Sequence, residues 1–232
     1  MKIRIEFSKL KGVRYISHLE LMDTIRRSVR RANLPAEYTQ GYNPHLVLSL
    51  GQPLAVGMVG KGEFFDLSLK EKIDEKEIIK RLNESLPKYI KIKEAKYVPD
   101  KVKSLQAIVD TAIYSIDFDY NKNKINDEEI LENLESKNKI EIIRKRRKKE
   151  DRRLDLRPMI YDIEIDDNQP VWYFTVSTGS SGNVRPSELI KALKERYDSI
   201  KEVPLVNVIR EGMYVKKGDK LLKPFASQVV RS

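Results

Sequence analysis

The chain of 232 residues contains no cysteine, only two histidines (His18 and His45) and one tryptophan. Without thiols it holds no disulfide framework, no thiolate zinc site and no iron–sulfur cluster of its own. Two histidines with no cysteine or carboxylate cluster beside them make a poor metal site, so no metal is expected. No apolar run approaches the length of a membrane span. The opening stretch MKIRIEFSKLKG has no apolar signal-peptide core and reads as a strand, so the expected address is the cytoplasm.

What the chain has in excess is positive charge. The formal net charge is +10, and its placement is uneven. Residues 1–35 carry nine Lys/Arg against three Asp/Glu, and residues 144–157 carry the same balance, so the remainder is slightly acidic. Concentrated positive charge suits a polyanion, because each neutralised phosphate releases condensed counterions. Nothing in the pattern points to DNA specificity.

The hydrophobic pattern predicts β-α-β-β-α-β over residues 1–99. KIRIEFS alternates, with Ile3, Ile5 and Phe7 on one face and Lys2, Arg4 and Glu6 on the other, as in a half-buried strand. A helix follows, opened by an S-x-x-E capping box at Ser17 and Glu20, with Met22, Ile25, Val29 and Ala32 as its buried stripe. LVLSL and GEFFDLSL read as strands, DEKEIIKRLNESL as a helix capped by Asp74, and YIKIKEAKYV as a strand. Residues 110–211 repeat the pattern, with a basic insert over 144–157, and residues 212–232 read as an edge hairpin and a frayed tail. The expected fold is α+β: two ferredoxin-like units in tandem, antiparallel sheets with helices on one face.

Three basic elements are candidate RNA contacts. Arg26 and Arg30, and likewise Arg27 and Arg31, stand at i,i+4 on the first helix, where like charges repel and a phosphate backbone would relieve them. An ordinary solvated arginine face has the same pattern. Lys145, Arg146, Arg147, Lys148, Arg152 and Arg153 form a polar arm too charged to pack, with Arg157 as an anchor beside it. Arg185 ends a Gly/Ser loop, TGSSGNVRP, that enters a helix and offers backbone N–H groups to an anion.

The stretch YTQGYNPHLVLSL holds a fourth candidate. Gly41 and Asn43–Pro44 account for its turns, but not for Gln40, Tyr42 and His45. Together with Tyr15, Ser17 and His18 these residues are expected to form a pocket at the first helix's N-terminus. The imidazoles of His18 and His45 are candidate acid and base groups toward RNA, or stacking partners for a base.

RYISHLELM, RRANLP, YTQGYNPHLVLSLGQPLAVG and GEFFDLSL, with the later DLRP and RPSELIKAL, resemble the DUF2344 family. That family is associated with radical SAM proteins and includes a stand-alone form of a domain fused to some B12-type members. The resemblance implies a separate radical SAM protein as partner. It also implies that an iron–sulfur cluster, S-adenosylmethionine and cobalamin would sit on that partner, and that the setting is tRNA, rRNA or ribosome modification. It supplies no catalytic residues. The expectation is an RNA-binding accessory subunit that is not itself a catalyst. The alternatives are a metal-independent RNA endonuclease using His18 or His45, and a protein-only interaction subunit of the radical SAM protein.

Overall fold

The computed structural model describes residues 1–118, 131, 132, 134, 136, 139–145, 150–180, 182–197 and 203–230. It is a mixed α+β structure built on one mostly antiparallel sheet. The first half supplies β1 (Lys2–Lys9), α1 (His18–Arg31), β2 (Leu48–Leu50), β3 (Val59–Ser68), α2 (Glu75–Ser85) and β4 (Ile90–Val98). A short helix, α3 (Leu105–Ile108), leads to β5 (Thr111–Asp117), and a hairpin of β6 (Glu141–Arg144) and β7 (Arg152–Asp155) stands apart as a two-stranded sheet. Then come β8 (Ile160–Ile165), β9 (Val171–Ser177), α4 (Pro186–Lys194), β10 (Val208–Lys217), β11 (Lys220–Leu222) and a terminal turn of helix, α5 (Ser227–Val230). Residues 127–136, DEEILENLES, which read as a helix in the repeated pattern, lie mostly outside the described residues.

The strands are ordered β4-β1-β3-β10-β5-β9-β8, with β2 paired to β3 and β11 to β10. Each half therefore has the same internal order: β4-β1-β3-β2 in one and β10-β5-β9-β8 in the other. The seam is a short parallel pairing of Val59–Gly60 with Ile209–Arg210. The strands approach closely beside it. A Cβ on Gly62 would lie 2.9 Å from the Gly212 Cα and 3.0 Å from the Glu211 carbonyl oxygen, so this crossing needs glycine. The break expected at 211/212 falls inside β10, where a bulge between Arg210 and Gly212 lets one strand serve both halves.

Local sequence accounts for the helices. Ser17 Oγ accepts from the Glu20 N–H at 3.3 Å and Glu20 Oε2 accepts from the Ser17 N–H at 2.7 Å, closing the expected capping box. Ile25, Val29 and Ala32 are buried as expected, while Met22 is only half-buried and Leu21 takes the inward position at that end of α1. Asp74 caps α2 by accepting from the N–H groups of Lys76 and Glu77.

Helices α1, α2 and α4 lie on one face of the sheet. Ile5, Phe7, Phe65 and Leu67 pack under α1 and α2. Glu63 shares their face by alternation along β3 and binds Arg210. Arg210 stands opposite Tyr114 in register, and Tyr114, Ile116, Trp172 and Phe174 form the layer under α4.

The other face corrects two expectations. In the first half it is buried as well. Arg4 is 0% exposed and makes a two-point ion pair with Asp66, at 2.7 and 2.9 Å. Its remaining donors reach the carbonyls of Pro224, at 2.8 Å, and Lys103, at 3.1 Å. β1 is thus buried on both sides, because the 101–109 segment and the tail cover its polar face. The tail is docked rather than frayed: Phe225 meets Phe64 edge-on at 5.7 Å, and Lys223 binds Glu6 and Glu94. In the second half the corresponding face is open. Ile113, Tyr173 and Thr175 line a shallow depression there with Asp162, Glu164 and Glu211.

Candidate nucleic-acid interface and the cleft at the seam

The four arginines of α1 divide into two kinds. Arg26 leans on Asp23 at 3.2 Å, and Arg31 donates to Ser28 Oγ and the Ser85 carbonyl, tying α1 to the end of α2. Arg27 and Arg30 are exposed, and their guanidinium groups have no partner among the described residues. The i,i+3 spacing puts both on one side of the helix. Of the expected four-arginine face, Arg27 and Arg30 are unpaired among the described residues, Arg26 meets an acid on its own helix, and Arg31 reaches the end of α2.

The basic insert is the β6–β7 hairpin, and Arg146, Arg147 and Lys148 lie outside the described residues. Lys145, Arg152 and Arg153 are exposed. Arg144, which precedes them, binds both carboxylate oxygens of Glu188 at 2.6 Å and the Asn183 carbonyl, fastening the hairpin to α4. Arg157 is half-buried and donates to the Ile160 carbonyl at 3.1 Å, which fits an anchor. Arg185 is exposed at the start of α4.

The pocket expected from Tyr15, Ser17, His18 and Gln40–His45 does not assemble. Gln40, Gly41, Tyr42, Asn43, Pro44 and His45 form an exposed tip, with Tyr42 101% exposed. Its stem is closed by Tyr38 against Leu46 and by the His45 N–H on Thr39 Oγ1. Gly41 has φ +126°, a conformation only glycine adopts easily. The stem joins the sheet beside Ser68 and Leu69, whereas Ser17 and His18 sit beside Glu63 and Phe64 of β3. From Glu63 to Ser68 is roughly 17 Å at about 3.3 Å per residue. The two imidazoles therefore form no acid–base pair. Tyr15 is exposed, with the Arg14 guanidinium 5.1 Å from its ring centre.

A buried polar cluster occupies the His18 end instead. Lys9 is 1% exposed and donates to the carbonyls of Arg14, at 3.0 Å, and Ile16, at 2.9 Å. Burial pushes its ammonium below the usual lysine value, against the pull of the Glu63 carboxylate. Arg210, 1% exposed, grips Glu63 through Nε and NH2 and donates to the carbonyls of Gln52, at 2.8 Å, and Pro53, at 3.2 Å. Burial opposes its charge, but Glu63 outweighs that and keeps the guanidinium charged. Burial likewise lowers the pKa of His18, so its imidazole is neutral at pH 7. The space between Lys9, Ser17, His18, Gln52 and Glu63 is about 10 Å³, roughly one water. This cluster fixes the 51–58 loop over the seam. Sequence reading missed it because Arg210 and Glu63 are 147 residues apart. The one available signal was a charged residue, Glu63, inside an apolar strand.

Among the described residues no group of three or more His, Asp or Glu side chains could hold a metal ion, and no helix is long and apolar enough to cross a membrane. No curated protein matches the chain. The model of an uncharacterized protein family conserved in bacteria, DUF2344, matches residues 2–186, most of the chain, and the protein belongs to that family.

Proposed function

We propose that this protein is an RNA-binding accessory subunit, two ferredoxin-like units sharing one sheet, that presents tRNA, rRNA or a ribosomal particle to a separate radical SAM enzyme. The observation that carries the RNA reading is the exposed, unpartnered pair Arg27 and Arg30 on α1, in a chain whose positive charge is concentrated in two segments. Exposed Lys145, Arg152, Arg153 and Arg185 extend the basic surface. RNA-recognition domains of βαββαβ type bind on the open strand face through aromatic side chains. Here that face is covered in the first half and bears the exposed carboxylates Asp162 and Glu164 in the second, so phosphate is repelled from it. The RNA side is the side of the helices.

The radical SAM partner and its cluster, S-adenosylmethionine and cobalamin follow from the family resemblance alone. The test is binding of fluorescent tRNA and rRNA fragments across a salt series, followed by co-purification with the partner. Binding that falls steeply with salt is expected. Arg27→Ala/Arg30→Ala should reduce the logarithmic salt slope by about 1.4, at about 0.7 per phosphate contact on a single strand. No binding at low salt, or an unchanged slope, would overturn the RNA reading. A partner complex that survives ribonuclease and never carries RNA would leave the protein-only interaction.

A further inference from the structure

A second cleft lies over the seam, on the far side of Arg210 from His18. It has a volume of about 280 Å³, near the lower limit of small-molecule sites, which run from about 300 Å³ upward. One wall is Leu54, Ala55 and Met58 from the loop that Arg210 holds, and the other is Pro186 and Leu205 from the second half. These walls are apolar and stand over a polar floor of Tyr114 and Arg210.

The floor is incompletely paired. Tyr114 is 5% exposed, lines the cleft and lies beside the Arg210 guanidinium. Arg210 is only a donor, so it offers the tyrosine hydroxyl proton no acceptor. Among the described residues no hydrogen bond takes up that proton. A ligand with an acceptor at this point would take it in place of water.

The mouth of the cleft is cationic. Arg185 lines it, and so does Ser187 at the second position of α4, where a helix N–H lacks an intrahelical acceptor. Glu188, the nearest carboxylate on α4, is neutralised by Arg144. The cleft thus offers apolar walls, the tyrosine hydroxyl between them, and positive charge at Arg185.

We propose that this cleft binds a single nucleotide, its base held between the Leu54–Met58 loop and Pro186 with an acceptor edge on Tyr114, and its phosphate at Arg185 and the start of α4. The inference rests on the RNA reading in that the nucleotide is one splayed-out residue of a bound strand. A free mononucleotide has the same chemistry, and the experiment separates the two.

Tyr114→Phe removes only the hydroxyl, and Ala55→Trp fills the cleft from an exposed position. Each is measured with a labelled single-stranded oligouridylate, an RNA duplex and uridine monophosphate. Tyr114→Phe should weaken oligouridylate binding about 3- to 10-fold, the effect of one hydrogen bond. Ala55→Trp should weaken it by at least as much, and neither variant should change duplex binding or the salt slope. If wild type binds the oligouridylate and both well-folded variants bind it equally, the cleft proposal fails and the RNA reading stands. If wild type ignores RNA yet binds uridine monophosphate, and Ala55→Trp abolishes that, the cleft stands as a mononucleotide site and the RNA reading fails. Binding of none of the three probes removes both.

Discussion

The two halves of the sheet share a strand order but are covered differently. In the first half, helices pack one face while the 101–109 segment and the tail pack the other, so Arg4, Glu6 and Asp66 lie inside the protein. In the second half, helix α4 packs one face and the other remains open, with Asp162 and Glu164 in solvent. Alternation along a strand reports which residues share a face. It does not report what lies on top of that face. The same alternating pattern thus gives an internal ion-pair layer in one half and an acidic surface in the other.

The largest expected effect is at the buried pair. Arg4→Ala leaves Asp66 charged and unpaired, and should cost about 3–5 kcal/mol in urea unfolding. Glu164→Ala on the open face should cost less than about 0.5 kcal/mol. Equal losses at the two positions would erase the distinction between the halves. The seam comes next. Gly62→Ala pushes β3 away from Gly212 and should cost about 1–3 kcal/mol, from overpacking against backbone that cannot yield. The docked tail follows: Phe225→Ala removes the edge contact with Phe64 and should cost about 1–2 kcal/mol, with faster proteolysis of the tail than of the hairpin before it.

The smallest effect is a pH dependence. Burial lowers the pKa of His18 below its unfolded value of about 6.5. In the window just below pH 6.5 the unfolded chain binds the proton that the folded chain refuses. Stability from the neutral imidazole is therefore present above about pH 6.5 and lost as pH falls through the folded value. Thermal unfolding of wild type should fall more steeply with acid across that window than unfolding of His18→Gln. Parallel curves would show that His18 is solvated like a free histidine.

Much of the secondary structure was legible because its causes are local. The Ser17–Glu20 box and the Asp74 cap act across three residues, and the runs around Ile3, Phe65 and Ile92 keep a period of two. The polar interior was not legible, since Arg4 finds Asp66 across 62 residues and Pro224 across 220. Of the site candidates, Arg27 and Arg30 keep the exposure that their spacing suggested, while Arg26 and Arg31 turn to Asp23 and Ser85. The Gln40–His45 loop and His18 were joined in reading by residue type. Register separates them, because the chain returns to the sheet at Leu69 before it reaches β2.

The parallel seam also dictates an order of assembly. β3 is complete at residue 68, yet the strand that covers its edge at Val59–Gly60 spans residues 208–217. During synthesis that edge of the first half waits with unpaired backbone groups while about 150 further residues emerge, an interval of roughly 7–30 s at about 5–20 residues per second. An open strand edge is a template for pairing with another chain. Newly made copies on one messenger are thus exposed to mispairing throughout that interval, and the protein's yield should depend on chaperone supply more than its final stability would suggest.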